Sequence, residues 1–229
     1  MAINASEAPT TGGGQFKAQD PMELGNYPTR LVQVIDLGLQ PQRPYQGQEK
    51  PPCREIFTTY EFLDEFMKDE DGNDIEDKPR WLSETLPLKN LSVDNAKSTK
   101  RYKALDSSNE HKGDWQQVLG TPVTVTITAD EGKGNNAGKI YNNIASTAPM
   151  RAKDADKAAD LVNPPKFFDL DEPDMTIFLS LPEWLQEKIK GNLNFKGSKL
   201  ESLITGAPVA VDTPSAPDAP EVDENDVPW

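Results

Sequence analysis

The sequence predicts a mainly β fold: a five-stranded Greek-key barrel, with one helix between the third and fourth strands and a helical extension after the fifth. Three observations carry that expectation. Five segments read as strands, one a strongly apolar stretch and three with apolar and polar residues alternating at a period of two, the pattern of half-buried strands. One segment between the third and fourth of them is rich in helix formers. The order strand, strand, strand, helix, strand, strand fills roughly 120 residues, about what one small barrel needs.

At 229 residues the chain has room for one domain of ordinary size and disordered ends. Residues 1–24 read as a polar arm, residues 25–150 as the barrel domain, residues 151–205 as a linker with a helical extension, and residues 206–229 as an acidic tail.

The first strand is expected over residues 30–37, where Leu31, Val32, Val34, Ile35 and Leu37 give an apolar stretch that Gly38 stops. A Pro- and Gln-rich loop follows, holding Arg43, Tyr45 and Lys50. In the second strand, residues 54–63, Ile56, Thr58, Tyr60 and Phe62 share the face expected to be core, and Glu55, Phe57, Thr59 and Glu61 share the other. An acidic turn built on Asp71, Gly72 and Asn73 leads to the third strand, residues 80–88, with Leu82, Leu86 and Leu88 on one side and Trp81, Ser83 and Thr85 on the other. The turn does not match a calcium loop, because Arg80 stands at the twelfth position where a closing Glu belongs.

Residues 92–105 change period and read as a helix capped by Ser92 or Asp94. It is the most basic segment of the chain, with Lys97, Lys100, Arg101 and Lys103. Residues 115–119 add a short helical turn. The fourth strand, residues 122–129, alternates Val123, Val125 and Ile127 with threonines, and a Gly- and Asn-rich loop turns it into the fifth, residues 139–147. Beyond a polar linker, residues 172–190 read as a helix in two pieces divided at Leu181 and Pro182, with an apolar stripe of Met175, Phe178, Leu181, Trp184, Leu185 and Ile189. This order of elements is that of an OB-fold.

Charge and composition narrow the function. The net charge of −14 argues against a polyanionic partner, but the tail and the acidic run from Asp64 to Asp77 supply almost all of it, and the remainder is near neutral. With one Cys and one His, zinc sites are not expected, and neither a disulfide nor a cofactor is. No Walker A, dinucleotide fingerprint or nucleophile elbow is present, so a non-enzymatic protein is expected. No apolar run reaches membrane-spanning length and the first residues do not form a secretory signal, so the expected location is cytoplasmic.

Function must then come from surfaces. On such a barrel the second and third strands, with the loops joining strands one to two and four to five, form the usual ligand face. Here those elements hold Arg43, Tyr45, Lys50, Arg54, Phe57, Arg80, Trp81, Lys133 and Lys139. Rings interleaved with cations are what single-stranded nucleic acid requires, since unpaired bases need π-faces and phosphates need positive charge. The competing reading places Phe57 and Trp81 against a second layer such as the terminal helix, as core, and makes the helix cations a solvated face. Tyr141 is not assigned to either face.

The tail carries six acids and no Lys or Arg, is broken by Pro208, Pro214, Pro217, Pro220 and Pro228, and ends on Val227, Pro228 and Trp229. An exposed terminal Trp calls for a pocket on a partner or on its own domain; otherwise the tail is a solubilising appendage. A barrel with such a tail resembles the single-stranded DNA-binding proteins of bacteria and tailed phages. In those families the tail recruits replication and recombination enzymes through its last residues, and competes with DNA for the basic groove. By that resemblance Asp223, Glu224, Asp226 and Trp229 are the partner-binding residues, although the bacterial tips end in Phe. Residues 27–38, 141–146, 168–171 and 181–189 are also similar to a group of small phage proteins encoded among replication genes. The resemblance implies single-stranded DNA as partner, a role in phage replication or recombination, and the host cytoplasm as location. Two rival expectations remain: a protein-interaction module, either a recombination accessory factor or a DNA-mimicking inhibitor, and a carboxylate-based, metal-dependent nuclease.

Overall fold

The computed structural model describes residues 20–44 and 46–206. Tyr45 and the tail residues Asp223, Glu224, Asp226 and Trp229, expected as binding residues, lie outside the described residues. The fold is mainly β. Strands β1 (Gly25–Gln40), β2 (Cys53–Lys68), β3 (Asp74–Pro87), β4 (Pro122–Glu131) and β5 (Ile140–Pro149) form one sheet in the order β3-β2-β1-β4-β5, and a short β6 (Lys166–Phe168) adds to β1. All pairings are antiparallel except that of β6 with β1.

The strands outrun the stretches of alternation that announce them. β1 begins at Gly25 because Gly25 to Arg30 pair with Ile127 to Pro122 of β4, which recruits a polar stretch that would not be a strand alone. It also passes through Gly38, which does not stop it. Gly38 sits in a bulge at φ +74°, and a Cβ there would lie 2.7 Å from the Asn192 side chain and 2.8 Å from that of Leu170, so glycine serves both the turn of the backbone and the close approach of the C-terminal segment. The β2–β3 turn forms where expected: Gly72 has φ +87°, and the Asp69 carboxylate accepts the N–H groups of Asp71 and Asn73.

Among the described residues five α-helices complete the fold: α1 (Lys97–Leu105), α2 (Ala152–Ala155), α3 (Met175–Leu179), α4 (Glu183–Lys190) and α5 (Lys199–Thr205). α1 is shorter than its composition suggests. Its N-cap is Ala96 rather than Ser92 or Asp94, and the Asp94 carboxylate instead takes the Lys103 ammonium at 2.6 Å. α3 and α4 are the two pieces divided around Leu181 and Pro182. Asp174 caps α3 through the N–H groups of Thr176 and Ile177, and Ser198 caps α5.

Two apolar cores lie on opposite faces of β1 and β2. The inner one gathers Leu31, Val34, Ile56, Tyr60, Phe62 and Leu86 with Val123, Val125, Ile127 and Ile144, and α1 adds Tyr102, which meets Trp115 edge to face at 5.3 Å. The outer one packs Ile35 and Leu37 of β1 and Phe57 of β2 against Phe168, Phe178, Leu181, Leu185, Ile189 and Leu200. The segment from β6 to α5 is thus a cap on the outside of the sheet.

β3 and β5, the two ends of the strand path, approach each other, and among the described residues no ladder joins them. Arg101 of α1 fills that seam. It is 2% exposed, donates through Nε to Glu84 of β3 at 2.6 Å and through Nη2 to the Ile144 carbonyl of β5 at 2.9 Å. The most basic segment of the sequence therefore spends its central cation inside the molecule. No helix among the described residues is long and apolar enough to cross a membrane.

Candidate nucleic-acid interface

The cross-strand row Arg30, Glu61 and Trp81 runs over the outer face of β1, β2 and β3, each residue opposite the next. Trp81 is 43% exposed, and its indole N–H donates to Glu61 Oε2 at 3.0 Å, which fixes the ring while leaving much of it open. Glu61 is 1% exposed. It also accepts the Val162 N–H at 2.7 Å and the Asn163 side-chain amide at 2.7 Å. Arg30 holds the same segment by its carbonyls, donating to Ala159 and Ala158 at 2.7 and 3.1 Å, and to Gly120 at 2.7 Å. Residues 158–163, expected as a polar linker, are therefore a strap laid across the sheet and tied by side chains of two adjacent strands.

Grooves flank the strap. The larger, of about 560 Å³, has Asn26, Pro28, Leu63, Thr124, Met150 and Lys157 in its walls, with Asp64, whose carboxyl burial pushes above its ordinary pKa. The smaller, of about 250 Å³, is lined by Phe66 and Val162 with Glu76 and Asp160. Its acidic rim is unsuited to a phosphate.

Eight of the nine residues expected at a ligand face are among the described residues, and the structure separates them. Arg54 is committed to other partners: its guanidinium binds Asp36 in a fork and reaches Asp169 and Asp171 at 3.4 Å each. The hydrogen bond to Asp36 outweighs desolvation and holds its pKa above the usual Arg value, so its charge is spent within the protein. Phe57 is not in an open groove; its ring meets Trp184 of α4 edge to face at 5.4 Å and belongs to the outer core. The second-layer reading thus holds for Phe57, and Trp81, on the same outer face, is left half open. Arg80 donates to the Asp20 carbonyl at 2.8 Å and anchors the start of the described chain.

Arg43 and Lys50 are exposed on the β1–β2 loop. Lys133 and Lys139 are exposed at the β4–β5 hairpin tip, where Lys139 reaches Asn136 Oδ1 at 3.4 Å. Of the helix cations, Lys97 lies 3.8 Å from Glu84 and Lys103 pairs with Asp94, which together with buried Arg101 makes α1 a closing element. Among the described residues no group of three or more His, Cys, Asp or Glu side chains is placed to hold a metal ion.

Sequence reasoning missed Arg30 and Glu61, which organise this face. The one available signal was parity: Glu61 shares a strand face with Phe57 and Thr59, and a carboxylate there needs donors from elsewhere. No protein-family model matches the chain, and no curated protein matches it.

Proposed function

We propose that this chain is a sequence-nonspecific single-stranded DNA-binding protein of a phage replication or recombination system, without enzymatic activity, built on an OB-like barrel whose acidic tail recruits partner enzymes. The path β3-β2-β1-β4-β5, with α1 between β3 and β4 wedged into the β3–β5 seam, supports the barrel. The observation that carries the ligand is Trp81, a half-exposed indole held by Glu61 on the outer face of β3, with cations on the two loops that flank such a face. A ring already fixed in place loses little entropy when a base stacks on it.

Fluorescence titration with oligothymidine tests the reading. The full chain should bind, Trp emission should change, and Trp81→Ala should weaken binding by about tenfold. The logarithm of affinity should fall with the logarithm of salt at about −0.7 per phosphate neutralised. Deleting residues 206–229 should tighten binding by removing a competing polyanion, and weaker binding in the truncated chain would refute that role for the tail. A protein-interaction module is the second reading, favoured by the acidic groove around Glu76 and Asp160; the absence of any shift of poly-dT on a native gel would select it.

A further inference from the structure

β3 is antiparallel to β2, β2 to β1, β1 to β4 and β4 to β5, so β3 and β5 run in the same direction along their seam. Two ties fix their relative level. Arg101 joins Glu84 of β3 to the Ile144 carbonyl of β5. Nearer the strand starts, Arg80 of β3 holds the Asp20 carbonyl, and Asn142 of β5 accepts the Met22 N–H at 2.7 Å and donates to the Met22 carbonyl at 3.0 Å. A short piece of main chain therefore spans from position 80 to position 142. Three residues back from each arm of the Arg101 tie stand Trp81 and Tyr141. Leu82, Leu86 and Ile144 belong to the inner core, which puts Trp81 and Tyr141 on the outward parity of their strands, 43% and 45% exposed.

Tyr141 is also held from behind. A Cβ on Gly132 would lie 2.8 Å from Tyr141 Cε2, so the ring rests against a backbone that only glycine leaves low enough. Among the described residues its hydroxyl has no hydrogen-bond partner and its ring no aromatic neighbour. Lys133 and Lys139 stand on the same hairpin tip. The carboxylates there are engaged, Glu131 with the Gly138 N–H at 3.0 Å and Asp130 with the Asn143 amide at 3.0 Å.

We infer that Tyr141 and Trp81 form a two-ring site for unpaired bases of one strand, set on either side of the β3–β5 seam, with Lys133 and Lys139 receiving the phosphates. The inference rests on the single-strand reading above and adds to it a second ring that sequence parity left unassigned. Stacking is tolerant of base identity because every base has a π-face, so two rings at matched level give a sequence-nonspecific grip.

The test is titration of the full chain with labelled oligothymidine at low salt, together with photo-cross-linking to a 5-iodouracil oligomer. Tyr141→Ala should bind about tenfold more weakly, Tyr141→Phe should match the wild type because stacking uses the ring and not the hydroxyl, and adducts should form on the peptides carrying both Trp81 and Tyr141. Circular dichroism should be unchanged in both variants, since the ring packs on the hairpin tip and belongs to neither core. If Trp81→Ala weakens binding and Tyr141→Ala does not, the paired site is wrong and the single-strand reading stands. If the wild type does not bind at all, both fall.

Discussion

The outer face of the sheet is treated in two ways, although the same alternation produces it throughout. Where β1 and β2 present Ile35, Leu37 and Phe57, the face is sealed by an apolar cap built from β6 and α3 to α5. A few residues away, where they present Arg30 and Glu61, it is crossed by a strap held through hydrogen bonds, and beyond that Trp81 stays half open. Apolar cover is strong and carries no titrating group, whereas polar cover is local and specific in geometry. The difference assigns stability to one half of the face and leaves the other half open, the half on which the proposed function relies.

The largest expected effect lies in the cap. Phe178→Ala, which empties a fully buried site beside Phe168, should cost about 3–5 kcal/mol in urea unfolding and leave oligonucleotide affinity per folded molecule unchanged. An equal loss of affinity would show that the two halves are not separable. Next, Glu61→Ala removes the acceptor for three donors and should cost roughly 2–3 kcal/mol, with amide exchange of residues 158–163 rising more than that of residues 34–37. Trp184→Ala, which removes the edge contact to Phe57 from a largely exposed position, should cost about 1 kcal/mol.

The smallest effect is one of acid. Burial opposes ionisation of Asp106, but the N–H groups of Glu110 and His111 outweigh it and leave its pKa below the ordinary carboxylate value. A lowered folded-state pKa gives stability that is present above the unfolded value of about 3.9 and is lost as pH falls through the folded one. Protection of the amides of Glu110 and His111 should therefore drop below about pH 4 while the cap amides hold, and equal loosening of both would contradict the division.

Much of this architecture is legible in the chain. The inward set Ile56, Thr58, Tyr60 and Phe62, the acidic turn at Gly72, the hairpin of β4 and β5, and the break between α3 and α4 follow from period, turn chemistry and proline. What escaped depends on contacts between distant segments. β6 has no pattern of its own and exists because the edge of β1 past Arg30 lacks a partner. The cap captures Phe57, and Asp169 and Asp171 help to hold Arg54, through residues more than a hundred positions away. Alternation states which side chains share a face, and only the remainder of the chain decides whether that face stays wet.

β1 has three ladder partners, and they arrive at very different times during synthesis. β2 follows at once, β4 comes much later, and β6 begins only at Lys166. At ribosomal speeds of about 5–20 residues per second, Ile35 and Leu37 wait roughly ten seconds before the helices that shelter them have been made. Through that interval the nascent chain shows an unpaired, apolar strand edge, the kind of surface on which chains adhere to one another or chaperones take hold. Yield in the producing cell should then be governed less by how stable the finished molecule is than by how promptly its last third emerges.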